Sequence, residues 1–371
     1  SVGDPVNVVS GNFVLPETDL TIRSRFPLVL ARIYNSLDPN IGAFGRGWSS
    51  PFLTRLEFLA TDVVFINSDG SRVLFEKTGN TFKASGGSEL RLAFDTNTGF
   101  WSVSHPQGSD WTFNTSGKII RMAPACCGMG ATDALLFDYD SNGHLTQVTN
   151  PAGQYIQFSY NSDNRIISAV DSAGRTLHYS YSSEGNLVSF NDPIGLLTTY
   201  GYLEDGFLTS MAKPGNRVTG ITYLDRRVST ITNPDGTASL FVWNYANQKL
   251  TLTTSNGTIH EYGFTPDWRF NSYAVPALAI AKNFISSGSA LTGYTNSMGN
   301  SSTYAYGTDG LIRSITDVMG NSTNHEWHTT FHKLTKTTDS LGRVWQYNWC
   351  PRGNLIIAIN PAGGIASFTY D

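Results

Sequence analysis

Short runs in which apolar and polar residues alternate fill most of this 371-residue chain. The runs are about six to eight residues long and rich in Val, Ile, Leu, Thr, Tyr and Phe, and turns rich in Asn, Asp, Pro and Gly separate them. Such alternation is typical of β-strands that have one packed face and one solvent-facing face. No window has the pattern of a long helix, so the sequence predicts an all-β fold.

From residue 136 the runs recur with a period of 21 residues, marked by Tyr139, Tyr160, Tyr181 and Tyr202. A turn of the form Asn/Asp-x-x-Gly recurs in phase with the tyrosines. From Asn150 to Asn360 this turn spans 210 residues, which is ten periods. Asn or Asp accepts a backbone hydrogen bond within such a turn, and Gly supplies the positive φ. Each unit of about 21 residues therefore predicts one β-hairpin.

The range 136–371 holds about ten or eleven units, with a diverged stretch at 265–291 and a truncated last unit. They predict roughly 20 strands, and a twisted sheet of that size curls or closes. We therefore expect tandem β-hairpins wound into a curved or spiral sheet. Aromatic-x-Tyr strand ends such as Phe158 and Tyr160 predict a ladder of ring pairs between successive hairpins. Frequent Ser, Thr and Asn at alternate positions predict water on one or both faces.

The first 135 residues do not follow the repeat and are predicted to form a separate β-rich domain. Residues 51–122 have the spacing of a strand meander, and Phe44-Gly45-Arg46-Gly47-Trp48 predicts a tight glycine-aromatic loop. Residues 123–134 break the pattern and predict a surface loop or a packed plug. The abrupt start at Ser1 and end at Asp371 predict a piece cut from a longer protein.

Composition and charge narrow the classes of partner. Charged residues make up 15% of the chain, and the formal net charge is -4. Without Lys/Arg runs, nucleic acid and anionic membranes are poor candidates. No apolar run approaches the roughly 20 residues that span a bilayer, and no secretory signal is visible. Cys126, Cys127 and Cys350 predict free thiols, with a vicinal disulfide or a soft-metal site as the alternative.

The stretch Tyr139-Asp140-Ser141-Asn142-Gly143-His144-Leu145, the Asn150 turn and Phe158-Ser159-Tyr160 together resemble the unit of Rhs (YD-repeat) proteins. The opening segment 3–20 and the Phe44–Trp48 loop are similar to the domain that precedes these repeats in bacterial polymorphic toxins. The resemblance implies a hollow spiral β-shell that encloses a toxic C-terminal domain until delivery. It also implies a secreted or cell-surface parent protein and a delivery machinery as partner.

Two clusters could carry chemistry. Asp192-Pro193-Ile194-Gly195-Leu196 matches the Asp-Pro-x-Gly-Leu sequence at which Rhs shells cleave themselves. Because Asp192 stands in phase with the ordinary turns, we interpret it as a hairpin corner and assign it no catalysis. His325, His328 and His332 lie near Glu326, and they meet at one metal only if a turn folds His332 back. Exposed or stacked histidines are the alternative, so we predict no metal, cofactor or catalytic residue.

Two functional hypotheses follow. The first is a non-enzymatic shell fragment that encapsulates or presents a C-terminal effector absent from this chain. The second is an extracellular adhesion or carbohydrate-binding β module, with exposed aromatic residues in a groove on the outer face. The tryptophans that could stack on a glycan are Trp268, Trp327, Trp345 and Trp349, although we favour packing in the core and in the ladder as their role.

Overall fold

The computed structural model describes residues 5–370, except 80, 86, 87, 89, 106–108, 125–133, 289, 330, 331, 351 and 352. The described residues form 36 β-strands and two single-turn 3₁₀ helices, at Pro51–Leu53 and Pro276–Leu278. The predicted all-β fold is confirmed. Cys126, Cys127 and most of the predicted loop at 123–134 lie outside the described residues.

Nine strands precede the main sheet and form three small sheets, of order β1-β2-β5, β3-β4 and β6-β7-β8-β9. Their bounds are β1 Val14–Ile22, β2 Leu28–Asn35, β3 Ile41–Gly42, β4 Gly45–Arg46, β5 Trp48–Ser49, β6 Arg55–Phe58, β7 Val63–Ile66, β8 Arg72–Thr78 and β9 Thr81–Ala84.

The other 27 strands form one sheet in which each strand pairs antiparallel with the next strand of the sequence. Its first strands are β10 Arg91–Asp95, β11 Phe100–Ser104, β12 Ser109–Phe113, β13 Ile119–Pro124, β14 Leu135–Tyr139, β15 Leu145–Thr149, β16 Tyr155–Tyr160, β17 Ile166–Asp171, β18 Thr176–Tyr181, β19 Leu187–Asn191, β20 Leu197–Tyr202, β21 Leu208–Lys213, β22 Arg217–Leu224 and β23 Arg227–Thr232. The sheet continues with β24 Ala238–Asn244, β25 Lys249–Thr253, β26 Ile259–Phe264, β27 Phe270–Val275, β28 Ile280–Ser287, β29 Ala290–Asn296, β30 Ser301–Tyr306, β31 Ile312–Thr316, β32 Ser322–Trp327, β33 Leu334–Thr338, β34 Val344–Trp349, β35 Leu355–Ile359 and β36 Ile365–Ser367.

The sheet contains strands on both sides of residue 136, and the division into two domains there stays a prediction.

Each repeat contributes two strands and two turns, as the sequence predicts. The turn after the repeat tyrosine, here called the first turn, follows a β-bulge such as the one between Ser159 and Tyr160. The Asn/Asp-x-x-Gly turn, here called the second turn, joins neighbouring strands at their opposite ends. In the second turn at Asp171, the carboxylate accepts hydrogen bonds from the backbone N–H groups of Ala173 and Arg175. Gly174 follows at φ 81°, a conformation that glycine adopts without strain.

The two faces of the sheet differ in burial. In β16, Ile156 and Phe158 are buried, whereas Gln157 and Ser159 point to solvent. We call the face with the buried residues the core face and the other the open face. Residues 5–53, the N-terminal layer, cover the core face: the Phe44 ring packs on Tyr179 at 5.3 Å between centroids. Most buried apolar side chains lie between this layer, the sheet β6–β9 and the core face.

The repeat tyrosines hold the two strands of a hairpin together by hydrogen bonds and do not stack on one another, so the predicted ladder of ring pairs is wrong. No ring pair joins two of the four marker tyrosines, all of which lie in the described part of the chain. Instead, the Tyr160 hydroxyl donates to the carbonyl of Leu145, fifteen residues earlier, at 2.9 Å. Trp243 replaces the tyrosine with its Nε1–H and donates to Val228 at 2.9 Å. The same fifteen-residue bond is made by Tyr181, Tyr223, Tyr306, Trp327 and Trp349.

The long sheet curves back towards its own beginning. The Arg91 guanidinium at the start of β10 lies 2.8 Å from Nε2 of His332, which stands in the first turn between β32 and β33. Strands β11–β31 separate these residues along the sheet, so only a curved sheet brings them together. The first and last strands, β10 and β36, do not pair with each other. The sheet is therefore wound and open, which confirms the predicted curvature.

Candidate functional site

The N-terminal layer is anchored on the core face by a buried ion pair. Strand β2 places Leu28, Leu30 and Arg32 on its buried face, so the charged residue occupies an inward position of the alternation. Arg32 donates to the Asp19 carboxylate through Nε at 2.5 Å and Nη2 at 2.7 Å. Their side chains are 0% and 1% exposed. Burial acts to lower the pKa of Arg32, but the Asp19 carboxylate, together with Tyr200 and Tyr179, outweighs it and raises that pKa well above its usual value.

Four aromatic rings surround the guanidinium. Its central carbon lies 4.7 Å from the Trp48 ring, 5.3 Å from Tyr179, 5.0 Å from Phe190 and 5.8 Å from Tyr200. Trp48 belongs to the layer, whereas the other three rings belong to the core face. A buried cation in contact with aromatic faces is stabilised by their quadrupoles. The cluster therefore joins the layer and the repeats as one packed unit.

Hydroxyl groups of the core face complete this anchor. Tyr179 donates to Asp19 at 2.8 Å, and the Tyr200 hydroxyl accepts from Arg32 at 3.2 Å. The Tyr202 hydroxyl accepts from Trp48 Nε1 at 2.9 Å. Burial raises the pKa of both Tyr179 and Tyr202 above their usual values, so both hydroxyls stay protonated at neutral pH. The cluster was not predicted from the sequence, although an Arg at an inward-facing position of a strand indicates a buried cation.

The cover on the core face ends near Tyr262. The Tyr262 ring is buried, its hydroxyl has no hydrogen-bond partner among the described residues, and burial raises its pKa to about 12. The contiguous core ends at Phe264. Beyond it, Val275 and Leu311 are the buried large apolar side chains in the described part of 265–370. We call the core-face residues of β28–β36 the uncovered core face.

Aromatic rings recur on the uncovered core face at every second strand. Cross-strand register places Phe284, Tyr304, His325 and Tyr347 on this face, in the slots that Tyr179 and the other buried mid-strand rings fill beneath the layer. All four are partly exposed. Two strand spacings separate successive rings, which is about 10 Å. The row of rings that is buried beneath the N-terminal layer thus continues on the uncovered core face, where the rings are accessible to solvent.

The polar groups between these rings are mostly uncharged. His325 Nδ1 lies 3.2 Å from the Thr337 hydroxyl, and partial burial lowers the pKa of His325, which favours the neutral imidazole at pH 7. Lys282 is a charged side chain on this face, and its ammonium lies 5.0 Å from the Tyr294 ring. Such a surface can bind a partner by ring stacking and hydrogen bonds rather than through a strong electrostatic field.

Asp192 lies where the sequence predicts, in a second turn. Its carboxylate accepts the backbone N–H groups of Ile194 at 3.0 Å and Leu196 at 2.8 Å. The Gly195 N–H donates to the Asp192 carbonyl at 3.0 Å, which closes the turn. The ordinary turn in phase with Asn150 and Asp171 accounts for these contacts.

The rings of two histidines contact different residues: His325 contacts Thr337, and His332 contacts Arg91. The backbone N–H of His332 donates to the carbonyl of His328 at 2.9 Å. Within the described ranges, no three His, Cys, Asp or Glu side chains come together as a metal site. Cys350 is an unpaired thiol.

Three of the four tryptophans are explained by packing. Trp327 and Trp349 fill repeat-tyrosine slots and donate to backbone carbonyls at 2.7 Å each. Trp268 packs on Phe264 at 5.4 Å and on the Arg227 guanidinium at 4.6 Å. Trp345 pairs with Thr337 across the strands and is partly exposed on the uncovered core face.

Two family models match the chain. The model described as RHS Repeat matches residues 139–180, and the model described as Domain of unknown function (DUF6531) matches residues 3–75. The repeat match falls on hairpins that recur in phase through the long sheet. The chain is an Rhs (YD-repeat) protein. The resemblance noted from the sequence is confirmed.

Curated relatives of this Rhs protein include "tRNA nuclease WapA" of Bacillus subtilis strain 168, which is 28% identical over 143 residues. The match covers 38% of this chain and 6% of the relative. "tRNA3(Ser)-specific nuclease WapA" of Bacillus spizizenii matches with the same identity and coverage. The Rhs chain thus corresponds to a small part of each relative.

Solved structures with a similar chain trace include the Photorhabdus luminescens Tc holotoxin pore, at 12% identity and a TM-score of 0.38. That likeness covers 94% of the Rhs chain and 22% of the solved chain. The crystal structure of TcdB2-TccC3 gives 11% identity and a TM-score of 0.37, over 94% of this chain and 23% of the other.

No helix in the described part of the Rhs chain is long and apolar enough to cross a membrane.

Proposed function

We propose that this Rhs chain is a non-enzymatic wall segment, whose uncovered core face contacts a C-terminal effector of the full-length protein. The observation that supports the proposal is the change along one face of one sheet. Beneath the N-terminal layer the mid-strand slots are buried and apolar, as at Phe158 and Phe241. Past Phe264 the same slots hold partly exposed rings with polar neighbours, as at Tyr304 and Tyr347. A partner bound to this face can stack on the rings and form hydrogen bonds with their polar neighbours.

The wall needs no catalytic group for this role. The cleavage-like motif at Asp192 uses its carboxylate to hold a turn. The WapA relatives are named as tRNA nucleases, which fits an effector with its own active site elsewhere in the parent protein. In this proposal residues 1–135 form the pre-repeat domain, residues 136–371 form the wall, and the parent is secreted or displayed on the cell surface by a delivery machinery.

Site-specific photocrosslinking in the full-length protein tests the contact. A benzophenone amino acid placed at Tyr347 points from the core face, and the same group at the adjacent Gln346 points from the open face. We expect the label at Tyr347 to crosslink to sequences beyond residue 371, as read by mass spectrometry, and the label at Gln346 to give none. Equal crosslinking from both positions, or none from Tyr347, contradicts the proposal.

A neutral glycan is the second candidate ligand of this surface. The row of partly exposed rings supports it, since stacked aromatic faces with nearby hydroxyls suit a partner that is apolar on one side and polar at its edges. In this alternative the glycan would bind the core face, whereas the sequence predicts a groove on the outer face. Glycan-array binding that is lost in Trp345→Ala and kept in Trp268→Ala supports this alternative, and an array without binders removes it.

A further inference from the structure

A cavity of about 230 Å³ lies between the N-terminal layer and the core face of strands β22–β25. Protein interiors are close-packed and contain few voids larger than a water molecule. Two side chains of the layer and four buried side chains of the sheet form its apolar walls, and these are Phe13, Leu15, Ile221, Ile231, Phe241 and Leu252. A space of this size at the junction of the layer and the sheet is a candidate ligand site.

The polar residues of the cavity all lie on one side, where the strands meet their second turns. Thr219 and Ser239 stand near the beginnings of β22 and β24, and Asn233 and Thr254 are the first residues of two consecutive second turns. All four are partly exposed, whereas the four sheet residues of the walls are buried. The cavity therefore has an apolar interior and a polar mouth, which is the composition of a small-molecule site.

The second turn at Asn233 is held differently from the ordinary one at Asp171, in which the first side chain accepts the backbone N–H groups. Here the third residue, Asp235, accepts the N–H of Thr237 at 2.9 Å, and the Asn233 amide nitrogen donates to the Thr237 hydroxyl at 3.0 Å. The next second turn also uses its third residue, Asn256, as the acceptor. The Asn233 amide oxygen accepts no N–H of its own turn, all of whose residues are described, so it is available at the mouth of the cavity.

The charges around the cavity indicate an uncharged occupant. None of the described residues that line it is charged. Charged groups nearby in the chain have partners: Glu17, two residues beyond Leu15 in β1, pairs with Lys213 at 2.9 Å, and Asp235 accepts two hydrogen bonds from Thr237. An ionic ligand would lose its hydration here without gaining a countercharge, which is costly.

Water is a poor occupant of the apolar interior. A buried water molecule needs two to four polar partners, and the hydrocarbon walls supply none. An apolar group that displaces such poorly held water gains affinity. An engineered apolar cavity of about 150 Å³ in another protein binds benzene. This cavity is larger, so it has room for a ring system larger than benzene.

We propose that this cavity binds a small neutral molecule that has an apolar ring system and a single N–H or O–H donor. The rings occupy the space beside Ile231, Phe241 and Leu252, and the donor binds the Asn233 amide oxygen at the mouth. Because Leu15 belongs to the layer, the bound molecule contacts both the layer and the sheet. A ligand that binds only the folded state stabilises it, so binding strengthens the junction between the two.

Isothermal titration calorimetry of the full chain with indole tests the proposal, and indole-5-carboxylate is the matched charged probe. The two probes share the rings and the N–H donor and differ in the carboxylate. We expect one indole per chain with a Kd below about 1 mM, and at least about tenfold weaker binding of indole-5-carboxylate. Indole should also raise the midpoint of thermal unfolding. Indole that does not bind saturably, or equal affinity for both probes, overturns the proposal.

A variant that fills the cavity locates the site. Ser239→Phe places a ring in the cavity, because Ser239 pairs with the buried Ile231 and shares its face of the sheet. Ala238→Phe is the matched control, because the neighbouring Ala238 is exposed on the open face. We expect Ser239→Phe to weaken indole binding at least about tenfold and Ala238→Phe to leave it unchanged. Equal effects of the two substitutions on binding contradict this site.

A second variant tests the donor and does not depend on how Ser239→Phe folds. Asn233→Ala removes the amide oxygen, while the turn keeps the hydrogen bond from Thr237 to Asp235. We expect this variant to bind indole about fivefold more weakly, which is the loss of one hydrogen bond. The probe 1-methylindole has no N–H donor, so the unmodified chain and Asn233→Ala should bind it equally. An equal loss for both probes, or no loss for indole, overturns the proposed contact.

Discussion

The buried pair between Arg32 and Asp19 gives the sharpest test of how the N-terminal layer is held. In Arg32→Met the side chain keeps most of its volume, but the Asp19 carboxylate stays buried without its cation. Breaking a buried ion pair from one side costs about 3–5 kcal/mol. Contacts of the guanidinium with four rings are lost as well, but the methionine side chain packs on the same rings and replaces part of this stabilisation. We expect the free energy of unfolding to fall by at least about 4 kcal/mol.

The double variant Arg32→Met with Asp19→Leu tests whether the isolated charge causes this loss. Without either charge, an apolar pair of similar volume is often neutral. The Tyr179 and Tyr200 hydroxyls then lack these partners, at roughly 1–3 kcal/mol each if they stay unsatisfied. We expect the double variant to lose about 2 kcal/mol, less than either single variant.

Urea unfolding followed by circular dichroism measures these losses, and limited proteolysis reports release of the layer. The control is Arg55→Met, because Arg55 and its partner Glu57 are 44% and 36% exposed. Exposed pairs contribute about 0–1 kcal/mol. If Arg32→Met costs no more than this control, or if the losses of the two single variants simply add, the buried pair does not anchor the layer.

Three further predictions concern the long sheet. Tyr160→Phe removes the hydroxyl that donates across the hairpin, and we expect urea unfolding to show that the free energy of unfolding falls by about 1 kcal/mol. Tyr160→Trp should restore this loss, because the indole supplies an Nε1–H donor. Gly117→Ala should unfold at a far lower temperature than Gly153→Ala, because both glycines have positive φ but only at Gly117 would a Cβ meet the backbone of β6; equal shifts would contradict this. Burial acts to raise the pKa of Asp171, but hydrogen bonds from Arg175 outweigh it and the pKa is lowered. A lowered folded pKa gives stability that is complete above the unfolded value of about 3.9 and is lost as pH falls through the folded value. In Asp171→Asn, acid titration of the thermal midpoint should therefore show a smaller loss below about pH 4.

The fold was accessible to sequence reasoning because the repeat is local. The two turns and the alternation between them define a hairpin within 21 residues, and the phase from Asn150 to Asn360 repeats it. Curvature followed from the number of strands. The role of Tyr160 was predicted wrongly, because a residue at a strand end can equally pair its ring with a neighbour or donate to a backbone carbonyl. The structure shows the second arrangement, in which the hydroxyl of Tyr160 donates to the carbonyl of Leu145.

The anchor of the N-terminal layer was out of reach for a different reason. Asp19 and Arg32 lie more than a hundred residues before Tyr179 and Tyr200, and no spacing rule connects a non-repeating strand with one particular repeat. The inward position of Arg32 in β2 indicates a buried cation, but the sequence does not show which face of which strands covers it. Contacts of high sequence separation are decided by how layers pack, which the local pattern does not contain.

The repeat and its cover together explain why the surface chemistry changes along one sheet. Most hairpins share the same kind of turn, and seven of the described repeats make the same bond across the hairpin. The mid-strand position on the core face can therefore vary with what packs on it. Beneath the layer it holds Phe158 and Phe241, both buried. Beyond the layer it holds Tyr304, His325 and Tyr347, which can meet water or a polar partner. A sheet whose core face packed only against its own chain would keep apolar residues there and bury them. The polar rings therefore indicate that a partner or water occupies this side.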